Sequence, residues 1–498
     1  MTDPSALDPR TPILVGVGTS SRPTDAAASD GESDIEPIDL MVESAVAALA
    51  DAGGRGLAER LGSVAVPVGN WSYADPGRLI ADRLGARSAS TVRVEIGVPQ
   101  QTPVRVAVER ILAGELDAAL VVGGEAKATQ SRRARAGLAA IEVDQGAAEP
   151  DERWSPEGEI VSQAEIEAGM WQPVEQYACI DNALRVAEGR TVDEHLDEIA
   201  QLWHRCNQVA RTYPGAAFPE PRDEAFLRVA GRGNRPLSFP YAKWHSTQWA
   251  VDQAGAMVLC PVGVARSLGI PEDRWVYPQV LVESSSSVPL SKRAELHRWP
   301  AMRVLGDASE AHLGRPLARI EHAEVYSCFP AAVRVQQREL GLPLDGTPTV
   351  MGAMPFAGGP LNNFTYQSTA AIVRRVRAEP GSLGMVTTVS GLLTKPAIAV
   401  WSTDPGPGCL VADLVDEATA ATGVPLDATH DHRGDGVVAT CTVTYTGDEP
   451  SSAFVIADLD ATTRWVGTST EPELWASVER GDLIGRRVRI DGGTCSLA

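Results

Sequence analysis

A long internal echo constrains the fold of this chain more than any single motif does. Thr102-Pro103, the turn Leu112-Ala113-Gly114-Glu115-Leu116 and the apolar pair Val121-Val122 return late in the sequence as Thr369-Ala370, Glu379-Pro380-Gly381-Ser382-Leu383 and Thr387-Thr388. Thr102, Gly114 and Leu116 stand at one constant separation from Thr369, Gly381 and Leu383. A helix, a Gly-x-Leu turn and a buried strand therefore recur in register. The spacing is too long for a solenoid and implies two related halves.

The first half reads as an α/β unit. Pro12 to Gly18 is a short apolar run closed by glycines, a buried strand. Pro37 to Ala52 places Ile38, Met41, Val42, Ala45, Ala48 and Leu49 on one helical face and stops at Gly53-Gly54. Leu61 to Val68, Val92 to Ile96 and Leu116 to Val122 read as strands. Pro76 to Leu84 and Thr102 to Leu112 read as helices, the second with Thr102 as N-cap and Pro103 at its first position. This alternation predicts parallel strands with helices packed on them. In Glu324-Val325-Tyr326-Ser327-Cys328-Phe329-Pro330 a strand ends in a turn bearing two hydroxyls and a thiol, and a helical run from Ala331 to Leu340 follows. Reactive groups at a strand end ahead of a helix are typical of sites on α/β sheets.

Charge and cysteine usage exclude several classes of function. The 498 residues, 44% of them apolar, can build two or three domains, and a formal charge of −21 repels nucleic-acid phosphates and anionic membranes. Small molecules and proteins remain as partners. Seven scattered cysteines without a CxxC pair argue against a disulfide framework or a zinc ribbon and fit a reducing cytoplasm. Met1 to Arg10 has two aspartates and no basic leader region, and no apolar run approaches the roughly eighteen residues of a membrane span. Val15-Gly16-Val17-Gly18 has part of a dinucleotide fingerprint but lacks the third glycine and the downstream acid.

Taken in order, several stretches resemble the thiolase superfamily. Val121-Val122-Gly123-Gly124-Glu125 resembles its Ala-Gly-Gly-Met-Glu strand end. His245 to Leu259, with Asp252-Gln253-Ala254-Gly255-Ala256, resembles its Asn-Ala-Ser…Asp-Gly-Ala-Ala-Ala segment. Tyr326-Ser327-Cys328-Phe329 is closest to the His-Asp-Cys-Phe of thiolases linked to sterol carrier protein, and Gly358-Gly359-Pro360-Leu361-Asn362-Asn363 to the start of the Gly-Gly…Gly-His-Pro motif. The resemblance covers roughly residues 10–402 and suits the actinobacterial type. It implies a duplicated five-layer α/β/α/β/α fold: an N-terminal half over residues 1–130, a CoA-binding loop domain over 131–243 and a C-terminal half over 244–403. Within the loop domain, Gln172 to Tyr177 and Thr191 to Leu196 read as capped helix starts. Arg211, Arg232, Arg235 and Lys243 are the side chains suited to CoA phosphates.

The departures from the family bear on chemistry. Its nucleophilic cysteine belongs in Gly97 to Thr102, which has none; its histidine falls on Thr365; its second cysteine falls on Ser390 in Val389-Ser390-Gly391. A serine without a base is a poor proton acceptor near neutral pH. What the resemblance leaves is a pocket of Thr102, Tyr326, Ser327, Asn362, Asn363 and Gly391 for a CoA thioester, with Cys328 and Ser390 as the weak catalytic candidates. The expected protein binds CoA or acyl-CoA as ligand or cosubstrate, with no bound metal or other cofactor. The alternatives are a non-enzymatic docking subunit of a lipid or steroid acyl-CoA complex and an acyltransferase using Cys328.

After Trp401, Thr403 to Gly408 reads as a linker, and residues 409–498 read as a small β-barrel of OB type. Its strands are Gly436 to Thr446, Ala453 to Ala457, Arg464 to Val466 and Leu483 to Ile490, with one helix at Pro472 to Arg480. Six arginines, no lysine and fifteen carboxylates disfavour single-strand binding. A protein partner is the better expectation. His430-Asp431-His432 with Asp435 reads as a solvated turn in preference to a metal site.

Overall fold

The computed structural model describes residues 7–22 and 34–498; Met1 to Ala6 and the polar loop expected after Gly18, in its stretch 23–33, lie outside the described residues. Two mixed sheets repeat one topology. In the first, Leu61–Pro67 runs parallel to Ala118–Ala126, which is antiparallel to Asp252–Pro261, which is antiparallel to Pro12–Arg22. In the second, His322–Glu324, Leu383–Ser390, Lys395–Ser402 and Tyr277–Glu283 follow the same order with the same directions. The duplication read from the Gly-x-Leu echo is thus a duplication of sheet order.

Between the sheets lie the two echoed helices, Thr102–Leu112 and Phe364–Ala378. Val104, Val108 and Ile111 of one and Tyr366, Ala370, Val373 and Val376 of the other share a core with Val121 and Met257 of the first sheet and Leu281, Val386 and Trp401 of the second. Helices Pro37–Ala52 and Pro76–Leu84 cover the outer face of the first sheet, and Pro300–Leu313 and Pro330–Glu339 pack on the second. This is the five-layer α/β/α/β/α arrangement. The glycines of Val15-Gly16-Val17-Gly18 serve close packing: a Cβ on either would lie 2.0 Å from a carbonyl oxygen of the Pro37–Ala52 helix, Ala48 O or Ser44 O.

Three boundaries move. The strand Asp252–Pro261 completes the first sheet, so the segment opening at His245 does not begin the second half; a strand's partners are set by non-local pairing, which local pattern does not carry. Beyond the linker, Leu410–Asp413 pairs in parallel with Tyr277–Glu283 and extends the second sheet, and Val415–Thr422 packs against Pro300–Leu313, so residues 409–422 belong with the second half. The second echoed helix starts at Phe364, ahead of the Thr369 that echoes Thr102, because a short 3₁₀ turn, Leu361–Asn363, feeds directly into it. At the outer side of the first sheet, Glu152–Trp154 runs parallel to Ser90–Val94, and Arg110 grips Glu152 with two hydrogen bonds of 2.9 Å.

The C-terminal domain is a closed five-stranded barrel. His432–Thr446 pairs with Glu449–Asp458, which pairs with Thr463–Ser469, then Thr494–Leu497, then Arg487–Gly492, which returns to His432–Thr446. Its core holds Val443, Val455, Trp465, Leu474, Val488 and Ile490. The barrel is joined to the loop domain: Ser238 pairs with Thr444, Asn182 Nδ2 donates to Phe239 O and Cys441 O, and Thr440 Oγ1 donates to Cys179 O. The strand Arg487–Gly492 alternates, with Arg487 and Arg489 exposed and Val488 and Ile490 buried. No helix is long and apolar enough to cross a membrane among the described residues.

Candidate functional site

The turn before the Thr102 helix, the Tyr326 turn, the Asn362 turn and the end of the Leu383–Ser390 strand meet at one place between the two halves. Gln100, 3% exposed, joins them: its Nε2 donates to Tyr326 Oη at 3.3 Å and its Oε1 accepts from Thr365 N at 3.2 Å. Ser390 Oγ donates to Val98 O at 3.4 Å, and the Tyr326 ring meets Phe364 edge-on at 5.9 Å between centroids. A buried relay fixes the Tyr326 backbone, where Thr387 Oγ1 accepts from Tyr326 N at 2.9 Å and donates to Gln336 Oε1 at 2.6 Å. Ser327 Oγ accepts from Met354 N at 3.1 Å. Thr365 is fully buried, its hydroxyl 3.2 Å from that of Thr388.

Backbone strain gathers here. Among the described residues, the non-glycine positions with positive φ are Ala353 (66°), Leu361 (40°) and Leu393 (54°). One precedes the Met354–Ser327 bond, one abuts Asn362 and one follows Gly391-Leu392. Such conformations persist only where surrounding contacts over-determine them, and they collect at functional sites. Asn362 adds an unmet demand, for its Nδ2 is buried without a hydrogen-bond partner among the described residues. Asn363 is satisfied locally, donating to Pro360 O at 2.7 Å and accepting from Gln367 Nε2 at 3.1 Å. At Gly391 (φ 69°) a Cβ would sit 2.4 Å from Thr394 Oγ1 and 3.2 Å from the Ile160 side chain, so the turn closes tightly around a position only glycine fits.

Two residues expected in the pocket are used otherwise. Thr102 is the first residue of its helix and not its cap; its hydroxyl donates to Glu283 Oε1 at 2.8 Å, alongside Arg105 Nε at 2.9 Å, and so ties the helix to the second sheet. Cys328 has a thiol pushed up to about 12 by burial, with the Tyr177 hydroxyl beside it. A thiol so protonated is a weak nucleophile. We expect iodoacetamide at pH 7.5 to label Cys328 about a thousandfold more slowly than a free thiol; peptide mass spectrometry reads this, and labelling at the ordinary rate would contradict it.

Three side chains at the site escaped the sequence reading. Gln100 occupies the segment where a nucleophile was sought. Lys395, fully buried, donates to Gly97 O at 3.1 Å and Glu157 O at 2.5 Å, and burial lowers its pKa. Lys395 stands opposite Ser390 in the strand pair, and both side chains reach the Gly97-Val98 turn. A lone charge in the apolar run Lys395-Pro396-Ala397-Ile398-Ala399-Val400-Trp401 was the available signal. Arg293, 6% exposed, donates to Leu392 O and to Val288 O.

A basic cleft of about 400 Å³ leads to this place, lined by Arg235, Lys243, Ser246, Thr247, Gln248 and Trp249, with Gly233 and Leu237. Thr247 connects the two: its N and Oγ1 donate to Cys328 O at 3.0 and 3.2 Å. Arg235 and Lys243 both line the cleft. Arg211, hydrogen-bonded to Gln208 Oε1, and Arg232 are not part of its lining. Nδ1 of His430 lies 2.8 Å from Val466 O, and no cluster of three or more metal-ligating side chains occurs among the described residues.

Two sheets of one topology enclosing two equivalent helices, with site turns at the helix starts, define the thiolase fold. Comparison with known proteins narrows this. Over 99% of this chain and 100% of the other, the structure is similar to a monomeric SCP2-thiolase-like protein, type 1, from Mycobacterium smegmatis, with a TM-score of 0.82 and 26% identity. The chain belongs to the thiolase superfamily and is similar there to an SCP2-thiolase-like protein. Its fold is also similar to an Ltp2-ChsH2(DUF35) aldolase (TM-score 0.57, 18% identity, 79% of this chain and 98% of that one) and to the dimeric peroxisomal thiolase of Saccharomyces cerevisiae (0.55, 15%, 80% and 99%). No protein-family model and no curated protein matches the sequence.

Proposed function

We propose that this protein binds CoA or an acyl-CoA, with the phosphates in the Arg235–Lys243 cleft and the thioester end at the Tyr326–Asn362 turns, and does not carry out conventional thiolytic chemistry. The observation that carries this reading is Thr247, which lines the cleft and is hydrogen-bonded to the Cys328 carbonyl. The orphaned Asn362 amide supports it as a donor awaiting a carbonyl. The site's converging groups are amides, hydroxyls, a protonated thiol and Lys395, whose ammonium is spent on the Gly97 and Glu157 carbonyls. None of them combines nucleophile and base as acyl transfer requires. All seven cysteines are free thiols, which supports a cytoplasmic setting.

Isothermal titration with CoA and acetyl-CoA tests the reading. Binding is expected to both, and Arg235→Glu with Lys243→Glu should weaken it by at least about tenfold through loss of charge-assisted contacts to phosphate. Cys328→Ala should leave affinity and the absence of CoA release unchanged. Release of free CoA from acetyl-CoA that Cys328→Ala abolishes would instead establish an acyltransferase. No binding of either ligand would favour the docking role in a lipid or steroid acyl-CoA complex, a reading supported by the likeness to a structure named for a thiolase-fold chain with a DUF35 component.

A further inference from the structure

The barrel reaches the site turn through two buried guanidinium groups. Arg464, on the barrel strand Thr463–Ser469, is 5% exposed. Its Nε is oriented by Asp458 Oδ1 at 2.7 Å, while Nη1 donates to Arg293 O and Nη2 to Ala294 O at 3.2 Å. A second barrel-side tie, Leu426 N to Lys292 O at 2.9 Å, holds the same segment. From that segment the Arg293 side chain crosses to Leu392 O, in the middle of the turn joining Ser390 to Lys395. Leu392 lies between Gly391 (φ 69°) and Leu393 (φ 54°), a left-handed position on either side of it. Trp299 Nε1 on Thr394 O (3.2 Å) and Thr394 Oγ1 on Ser390 O (3.0 Å) complete the fastening.

A side-chain-bearing residue in the left-handed region stays there only when its neighbours leave no alternative. Arg293 supplies a planar fork to the Val288 and Leu392 carbonyls with no carboxylate hydrogen-bonded to it among the described residues, and its backbone is in turn gripped by Arg464. From this geometry we infer that the C-terminal barrel is a brace for the site turn, with Arg464 and Arg293 as positioning residues. Release of Arg464 frees residues 390–395 and thereby weakens ligand binding. The consequence for affinity rests on the CoA reading above; the consequence for the turn does not.

Hydrogen exchange of the full chain without ligand, read by mass spectrometry on peptides covering 390–396, tests the brace. Arg464→Gln is expected to speed exchange there about tenfold, with the barrel strands unchanged. Tyr445→Phe, which removes a different barrel bond (Tyr445 Oη to Glu479 Oε1, 2.6 Å), should leave the turn at the wild-type rate. Equal turn protection in Arg464→Gln and wild type overturns the brace, as does uniform acceleration over barrel and turn together. If Arg464→Gln does not accumulate as folded protein, Arg464→Lys, which loses the two-carbonyl fork but keeps the charge, is read by the same criteria. Failure of the wild-type protein to bind CoA would overturn the proposed function and leave the exchange result to decide the brace.

Discussion

Arg334→Ala is expected to destabilise the protein by about 3–5 kcal/mol, the cost of stranding a buried charge. Arg334, 1% exposed on the Pro330–Glu339 helix, donates through Nη1 to the fully buried Asp181 Oδ1 at 2.5 Å and through Nη2 to Glu198 and Glu188. Asp181 lies on the loop-domain helix Pro173–Ala187, so one guanidinium clamps the loop domain to the second half. Burial alone would raise the Asp181 pKa, but His195 and Arg334 more than reverse this and hold the carboxyl well below its usual range. Without Arg334, His195 at 3.5 Å and the Tyr241 hydroxyl remain beside it. Denaturant unfolding measures the loss, and a change below about 1 kcal/mol would refute the clamp. The double variant Asp181→Asn with Arg334→Met should lose less than Arg334→Ala, because no unpaired charge is left behind. A depressed carboxyl contributes stability above its unfolded pKa of about 4 and loses it as pH falls through the folded value. The clamp therefore fails only in strong acid.

Glu324 is expected to act in the opposite direction and at milder pH. It is fully buried at the end of the His322–Glu324 strand and accepts from Thr349 Oγ1 at 2.8 Å, Val350 N at 2.7 Å and Met351 N at 3.0 Å. Burial raises its pKa to about 7, with the hydrogen bonds only partly offsetting the shift. In the unfolded chain it titrates near 4.3, so between about pH 4.3 and 7 the native state keeps a proton that the unfolded state has lost, and stability falls as pH rises through that window. The contribution is about 3 kcal/mol. Glu324→Gln should abolish it: the stability difference between pH 5 and pH 8 should be smaller in the variant by that amount. Glu125 and Glu175, also raised to about 7 by burial, add to the wild-type slope in the same window, so the comparison is a difference between variant and wild type. Identical pH profiles would remove Glu324 as the cause. The residue holds the 349–354 loop, and through Met354 N it positions Ser327.

Local signals made some elements legible to the residue. Pro76–Leu84 and Pro472–Arg480 begin with proline and end at a left-handed glycine, Gly85 and Gly481, and Thr191 with Glu194 forms the capping box read from the sequence. The echo of Gly114 and Gly381 disclosed the duplication because both turns close equivalent helices. Elements whose existence depends on distant partners were not legible. Glu152–Trp154 and Leu410–Asp413 are short strands defined only by the strands they join, and Asp252–Pro261 changes halves for the same reason. The site followed this division. Tyr326, Ser327, Asn362, Ser390 and Gly391 were named from turns and their likeness to family motifs, and the fold brings those turns together. Gln100, Arg293 and Lys395 act on carbonyls or hydroxyls far along the chain, and no local pattern marks such contacts.

The strand Glu152–Trp154 has a consequence for self-association. Its pairing with Ser90–Val94 makes it the edge of the first sheet, and at three residues it offers a second molecule only a short row of backbone groups to continue. A longer continuation, along the whole of Ser90–Val94, requires that the strand first be peeled away and its Arg110–Glu152 grip broken.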